Sequence, residues 1–132
     1  MKYTNNAIFT KVRAAVLATY SSATCTQTYS PTPASYPTVF CREIGRFTPT
    51  QAATFGNAQD ISERTWEVQV YSNLKSGQKE QAYGIMDCVK SAFRAMYFLE
   101  ISETPIDSTN GSHFTLVARF RRVIGSGETI PT

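Results

Sequence analysis

The sequence predicts an α+β fold in which helices cover one face of a mostly antiparallel, four-stranded sheet. Segments 66–73 and 113–123 alternate apolar and polar residues with a period of two, as half-buried strands do. Segment 79–96, between them, repeats its apolar residues with the period of a helix. Because the apolar face of each element needs cover, we expect the three elements to share one core.

The chain begins with a predicted helix that runs to about Tyr20. Asn5 or Asn6 is expected to cap its N-terminus, because a short polar side chain can accept a hydrogen bond from the first free N–H groups. The apolar stripe that should pack on the domain consists of Ile8, Phe9, Val12, Ala15 and Val16.

Two irregular segments flank the first predicted strand, 38–47, which is rich in β-branched and aromatic residues. Segment 21–37 is rich in Pro, Ser and Thr, and its prolines disfavour both helix and central strand. We therefore expect it to be a crossing loop. Segment 48–63 is a polar connection far longer than a hairpin requires, and long loops in compact domains are often functional or disordered until bound.

The faces of the later elements follow from their periods. Strand 66–73 should turn Trp66, Val68 and Val70 inward, and Glu67, Gln69 and Tyr71 outward. The core stripe of helix 79–96 is Ala82, Ile85, Met86, Val89, Phe93 and Met96. Strand 113–123 should turn Phe114, Leu116, Ala118 and Phe120 inward, and Thr115, Val117, Arg119 and Arg121 outward.

A fourth strand is expected at about 97–102, before a turn at Pro105. The sequence Asn110-Gly111-Ser112 fits a tight turn before the last strand, and the tail 125–132 is predicted to be flexible.

Length and composition indicate a single domain, 1–132, large enough to bury its own core. The net charge of +3 comes from 13 basic and 10 acidic residues without a long run of one sign, so nucleic-acid binding is allowed but only weakly indicated. Cys25, Cys41 and Cys88 lack zinc-ligand spacing and are expected to be reduced thiols. No segment resembles a signal peptide or a membrane span, so we expect neither export by that route nor a membrane partner.

The sequence carries little residue chemistry for catalysis. His113 is the only histidine, and we interpret it as an ordinary residue at a strand entrance. Glu100, Glu103 and Asp107 are close in sequence, but alternation and Pro105 are expected to keep them from forming an acid–base pair. Neither a nucleotide-binding glycine motif nor a metal-ligand pattern occurs, so we predict no enzyme activity, cofactor or metal site.

Two surfaces are candidates for contact with other molecules. Small residues on the long helix lie roughly opposite its core stripe and would let a second subunit approach closely: Gly84, Cys88, Ser91 and Ala95. A basic strip could form where Arg119, Arg121 and Arg122 are joined by Arg42 and Arg46 of a neighbouring strand, with Tyr71 nearby. Phosphate contact is one interpretation of this strip, and a solvated face paired with Glu67 is the favoured one.

The order of these elements resembles that of the tail terminator and tail completion proteins of long-tailed bacteriophages and prophages. The resemblance extends from about Ile8 to Ile124 and is carried by the amphipathic first helix, the proline-rich crossing, WEVQVYSN, the AYGIMDCVKSAFRAMYF helix and the FTLVARFRR strand. It depends on element order and hydrophobic pattern rather than on an invariant motif.

The resemblance implies a structural virion protein that works by occupying a surface. Members of this family form rings, commonly hexamers, at the head-proximal end of the tail tube. Such a ring would cap the tube, stop its polymerisation and offer its other face to the head–tail connector. The resemblance also implies assembly in the host cytoplasm and a final location in the neck of the virion. The residues proposed to contact tube or connector come from the long loop and the strand arginines: Arg42, Arg46, Phe55, Asn57, Asp60, Arg119 and Arg121.

Two alternatives stay open at this point. A head-side neck adaptor or completion protein would share the size, the charge and the lack of catalytic residues. A small nucleic-acid-binding α+β module would stack bases on an outward sheet face, for which Tyr71 is the clear candidate, although specific nucleic-acid binding is not expected. An enzyme would require Glu100, Asp107 and His113 to surround one pocket, as in a metal-dependent hydrolase.

Overall fold

A computed structural model describes residues 2–29, 33, 35–47, 61–74, 76–108, 112–125 and 128–131. It contains two helices and a five-stranded sheet, in the order α1 (Asn5–Thr19), β1 (Thr24–Thr26), β2 (Thr38–Phe47), β3 (Ile61–Ser72), α2 (Gln78–Ala95), β4 (Leu99–Asp107) and β5 (Phe114–Gly125). The strands lie in the spatial order β1-β2-β3-β5-β4. The α+β class and both predicted helices are therefore confirmed. The prediction of a mostly antiparallel, four-stranded sheet was wrong in the number of strands, because a fifth strand joins the sheet by a parallel pairing and makes it mixed.

The additional strand, β1, lies inside the predicted crossing loop. It runs parallel to β2, with Thr24 beside Thr38 and Thr26 beside Phe40. The backbone N–H of Thr24 also donates to the carbonyl of Pro37 at 3.0 Å. A strand of three residues is too short to show a period, so the sequence pattern could not indicate it.

The cap of α1 differs from the predicted one. Thr4 precedes the helix, and its hydroxyl accepts a hydrogen bond from the backbone N–H of Ala7 at 3.1 Å. Asn5, the first helical residue, instead accepts from a guanidinium N–H of the buried Arg64 at 2.5 Å. This contact ties the start of α1 to β3.

The central strands have the predicted faces. Trp66, Val68 and Val70 are fully buried beneath the helices. The inward residues predicted for β5 and the core stripe predicted for α2 are buried as well. Strand β3 begins at Ile61, within the predicted loop 48–63. The rest of that loop, with Phe55, Asn57 and Asp60, lies outside the described residues.

Aromatic packing joins α2 to the sheet. The ring of Phe93 stacks on that of Phe120 with centroids 4.3 Å apart, and it meets the edge of Phe98 at 5.1 Å. Trp66 lies 6.2 Å from Phe93, centroid to centroid. The core is therefore centred where α2 crosses β3 and β5, and the opposite side of these two strands is the open face of the sheet.

Strand β4 extends past the predicted turn at Pro105. It pairs with β5 along its length, and Pro105 lies opposite Leu116 within the ladder. Proline is tolerated here because β4 is an edge strand, where the position of the missing N–H can face solvent. The pairing slips between Glu100 and Ser102, so Ile101 forms a bulge.

The described part of the predicted tail, 128–131, contacts the domain. Thr129 forms an isolated antiparallel bridge with Lys2, and Ile130 is buried. The carboxylate of Glu128 accepts from the backbone N–H of Gly125 at 3.1 Å and pairs with Arg122. These contacts attach the two ends of the chain to each other and to β5.

Candidate functional site

The open face of the sheet carries a row of side chains from four neighbouring strands. Arg42 of β2 lies opposite Glu67 of β3, which lies opposite Arg119 of β5, which lies opposite Ser102 of β4. The row therefore alternates positive, negative and positive charge and ends at a small hydroxyl side chain. We call Arg42, Glu67, Gln69 and Arg119 the arginine cluster.

Glu67 is the centre of the arginine cluster. One of its carboxylate oxygens accepts from Arg42 at 3.0 Å and from the Gln69 amide at 2.9 Å. The other accepts from Arg119 at 3.1 Å. The carboxylate side chain is only 5% exposed, whereas the arginine side chains are 48% and 50% exposed. The cluster thus buries its anion and presents both cations to solvent.

Electrostatics keep Glu67 ionised. Burial alone would raise the pKa of this carboxyl, but the hydrogen bonds from Gln69, Arg42 and Arg119, together with the charge of Arg42, outweigh it, so the pKa is lowered. The carboxylate consequently holds both guanidiniums in fixed positions at neutral pH.

A groove of about 570 Å³ lies beside the arginine cluster. Its remaining walls combine two apolar and two hydroxyl side chains, namely Val117, Ile106, Ser102 and Thr104. Because the side chains of β4 are small at Ser102 and Thr104, the groove extends toward the sheet edge. Such a surface can combine apolar contact with charged hydrogen bonding.

The other three arginines of the predicted basic strip are separated from this cluster. Arg122 lies opposite Arg64 and bonds to Tyr3, the carbonyl of Met96 and Glu128, so it does not belong to the open face. Arg121 lies in the next row, 3.5 Å from the carboxylate of Glu63. Arg46 follows the irregularity between Glu43 and Gly45 and bonds to Glu43 and Asn5, beside the start of α1. The structure therefore brings together Arg42 and Arg119 and places Arg46 elsewhere.

At one end of the open face the aromatic rings are covered. Tyr71 is 6% exposed and Phe40 is 3% exposed. Tyr29 packs over Phe40 with ring centroids 5.5 Å apart, and His113 lies 6.4 Å from Tyr71. Tyr71 donates its hydroxyl to the amide oxygen of Gln69, which continues the hydrogen-bonded chain to Glu67. Neither buried ring offers a free face for base stacking.

The small residues of α2 lie in two different environments. A side chain at Gly84 would overlap the hydroxyl of Tyr20. The absence of a side chain at Gly84 therefore makes room for Tyr20 of the same chain and not for a second subunit. Cys88 is half-buried and packs against the core. Ser91 and Ala95 are exposed and line an apolar groove of about 390 Å³ between α1, α2 and the C-terminal residues. The prediction that they contact a second subunit stays a prediction.

Two of the acidic residues meet, contrary to expectation. The ammonium of Lys90 lies 2.7 Å from Glu103 and 3.4 Å from Glu100. The bulge at Ile101 turns both carboxylates toward α2, which the alternation of a regular strand would not do. Burial would lower the pKa of Lys90, but its hydrogen bonds and charge interactions with both glutamates raise it. The group forms an ion-pair network rather than an acid–base pair.

Asp107 lies at the other end of β4. It pairs with Lys79 at 3.5 Å, while Glu100 and Asp107 lie opposite Phe120 and Phe114 of β5, about 20 Å apart at the rise of a strand. The hypothesis of a metal-dependent hydrolase requires Glu100 and Asp107 to line one pocket, and this separation rules that out. Among the residues that the structure describes, no group of three or more His, Cys, Asp and Glu side chains is placed to hold a metal ion.

Strand β4 exposes apolar side chains at the edge of the sheet. Leu99 is 63% exposed, Ile106 49% and Ile101 43%, and the neighbouring Tyr97 is 65% exposed. The strand also carries a bulge and a proline, which are features that hinder pairing with a further strand. Contact at this edge would therefore be made by side chains more than by backbone.

Comparison with known proteins gives no assignment, since no protein-family model and no curated protein matches this chain. Neither of the described helices combines the length and the apolar character that crossing a membrane requires.

Proposed function

We propose that this chain is a structural subunit of a long-tailed bacteriophage or prophage, a tail terminator or tail completion protein that acts by contact. The observation that carries the proposal is the uneven cover of the sheet. Both helices lie on one face, whereas the other face presents the arginine cluster beside a groove and ends at an exposed, apolar edge strand. Large exposed apolar surface on a small domain is typical of a protein that meets a partner.

The proposed subunit forms a ring, for which the exposed part of the small-residue stripe, Ser91 and Ala95, supplies a self-association surface. The open face of the sheet then contacts the tail tube or the head–tail connector. This arrangement requires two distinct surfaces on one subunit, and α2 and the open face lie on opposite sides of the sheet. The site of action is the neck of the virion, and assembly occurs in the host cytoplasm.

The test is an early stop codon in this gene, in the phage or inducible prophage that carries it, followed by negative-stain electron microscopy of the lysate. Overlong or unjoined tails beside filled heads are the expected result. Tails of normal length with empty or leaking heads would instead assign the chain to the head side of the neck. Normal virions would contradict the proposal.

A further inference from the structure

The arginine cluster has hydrogen-bonding capacity that its own carboxylate does not use. A guanidinium has five N–H donors, and Glu67 accepts hydrogen bonds from Nη2 of Arg42 and from Nε of Arg119, whose Nη2 lies 3.1 Å from the same carboxylate. Within the described part of the chain, the remaining donors of these two arginines have no protein acceptor. Two cations against one anion leave a local charge of about +1 facing the groove.

The order of charges across the sheet indicates which chemical group a ligand would place next to Arg119. Arg42, Glu67 and Arg119 alternate in sign, and the next position is the small Ser102 on the edge strand. A group that enters over Ser102 can reach Arg119 without displacing a large side chain. A carboxylate in that place continues the alternation and can accept two parallel hydrogen bonds from a guanidinium.

We propose that this groove binds an acidic side chain of an extended segment in a partner protein of the assembly. The inference rests on the proposed function in one respect, that the partner is another protein of the particle. Arg42 and Arg119 bind the carboxylate, and Glu67 is a positioning residue that fixes both guanidiniums. Val117 and Ile106 supply an apolar floor for the aliphatic part of the segment.

The surroundings favour a protein segment over a nucleic acid. Single-stranded nucleic acid is bound by stacking bases on exposed rings above a strongly basic groove. Here the rings of Phe40 and Tyr71 are 3% and 6% exposed, the exposed ring of Tyr29 is packed at a tilt on Phe40, and Glu67 cancels half of the charge of the cluster. The hydroxyl and aliphatic walls of the groove suit a side chain and its neighbouring peptide groups instead.

The edge strand determines how the segment is held. The bulge at Ile101 and the proline at 105 interrupt the outer edge of β4, so a partner strand cannot form a continuous ladder there. Binding therefore depends on the side-chain contact with Arg42 and Arg119, and it should be sensitive to salt.

The test uses a fluorescent synthetic peptide in which glutamate alternates with valine, with fluorescence anisotropy as the readout. The comparison probes are the same peptide with glutamine for glutamate, and an oligothymidylate. The full chain should bind the acidic peptide, and Arg42→Gln or Arg119→Gln should each weaken binding about tenfold, the effect of losing a charge-assisted hydrogen bond. Arg94→Gln, on the exposed side of α2, is the matched control and should leave the affinity unchanged.

A second pair of variants leaves the arginines intact. Ser102→Glu places a carboxylate of the same chain beside Arg119, where it should compete with the peptide and abolish binding. Ser102→Gln has the same size without the charge and should retain binding. Because Ser102 is exposed on an edge strand, neither change disturbs the core, and urea unfolding checks that both variants are folded.

Three results would overturn the inference: equal affinity for the glutamine peptide, unchanged binding by Arg42→Gln and Arg119→Gln, or tighter binding of oligothymidylate through the same two arginines. The stop-codon experiment separates this inference from the proposed function. Overlong tails in that lysate, together with no peptide binding, would remove the groove assignment alone. Normal virions together with peptide binding that depends on Arg42 and Arg119 would remove the phage assignment alone.

Discussion

Replacing Glu67 with glutamine tests the arginine cluster directly. The change keeps the shape of the side chain but removes the charge that both guanidiniums share at 3.0 and 3.1 Å. Hydrogen bonds to a charged group each contribute about 1.5–3 kcal/mol, and removing one partner of a buried pair costs about 3–5 kcal/mol. Because both arginines are half-exposed and can turn to water, we expect a loss below that of a fully buried pair, about 1.5–3 kcal/mol.

Urea unfolding followed by tryptophan fluorescence measures this loss. Trp66 is the only tryptophan of the chain and is fully buried, so its emission reports the transition. The matched control is Glu63→Gln, which removes a more exposed carboxylate from its 3.5 Å contact with Arg121. An exposed pair of this kind contributes less than about 1 kcal/mol, so the control should lose clearly less stability.

The pH dependence of unfolding is a second, independent test of the Glu67→Gln variant. The pKa of Glu67 is lowered in the folded protein. Its contribution to stability is therefore fully present above the pKa of a glutamate in an unfolded chain, about 4.3. It is lost as the pH falls through the lower, folded value. The stability difference between the native chain and Glu67→Gln should therefore be constant from neutral pH down to weakly acidic pH and shrink below it. An equal loss in Glu63→Gln, or a difference that is the same at neutral and strongly acidic pH, would refute the reasoning.

Three further predictions concern α2 and its neighbours. Gly84→Ala gains about 1 kcal/mol of helix propensity, but the added methyl group overlaps the Tyr20 hydroxyl at an overpacking cost of about 1–3 kcal/mol. The variant should therefore be as stable as the native chain or less stable. Combining it with Tyr20→Phe, which removes the hydroxyl, should restore stability. Phe93→Ala removes the ring stacked at 4.3 Å on Phe120 and should cost about 3–5 kcal/mol in urea unfolding. Ala95→Arg, at an exposed position, should leave stability unchanged and prevent ring assembly on particles, as judged by electron microscopy.

Each of these predictions has a result that contradicts it. If Tyr20→Phe fails to rescue Gly84→Ala, the hydroxyl is not what requires glycine there. A loss below about 1 kcal/mol for Phe93→Ala would place the centre of the core elsewhere. A folded Ala95→Arg chain that still assembles normally would exclude the exposed part of the helix stripe from the proposed subunit interface. Ala95→Ser is the control, since this small side chain should still allow assembly.

The sequence was sufficient for the elements whose period is long and regular. Helix α2 and strand β5 bury the residues that their periods predict, because each element has one face on a single core. The pairing of Glu67 with strand arginines also follows from alternation, since Arg42, Glu67 and Arg119 all lie on the same side of their strands.

The errors occur where the backbone departs from a regular strand. A bulge shifts every later side chain to the other face, so Arg46 lies beside α1 and Glu100 and Glu103 both reach Lys90. Strand β1 is too short to have a period, and Pro105 marks a turn in most contexts but is tolerated on an edge strand. Which strand lies at the edge is decided by the whole sheet, and no local pattern contains that information.

The most direct test of the account is complementation of the stop-codon allele, with joined particles counted by negative-stain electron microscopy. The native chain and Arg13→Gln, which changes an exposed arginine of α1, should both restore joined tails of normal length. A folded Arg42→Gln/Arg119→Gln chain should leave tails unjoined, because the open face then lacks the two cations that are proposed to contact the partner. Full restoration of joined tails by that double variant would contradict the claim that the open face is the assembly surface.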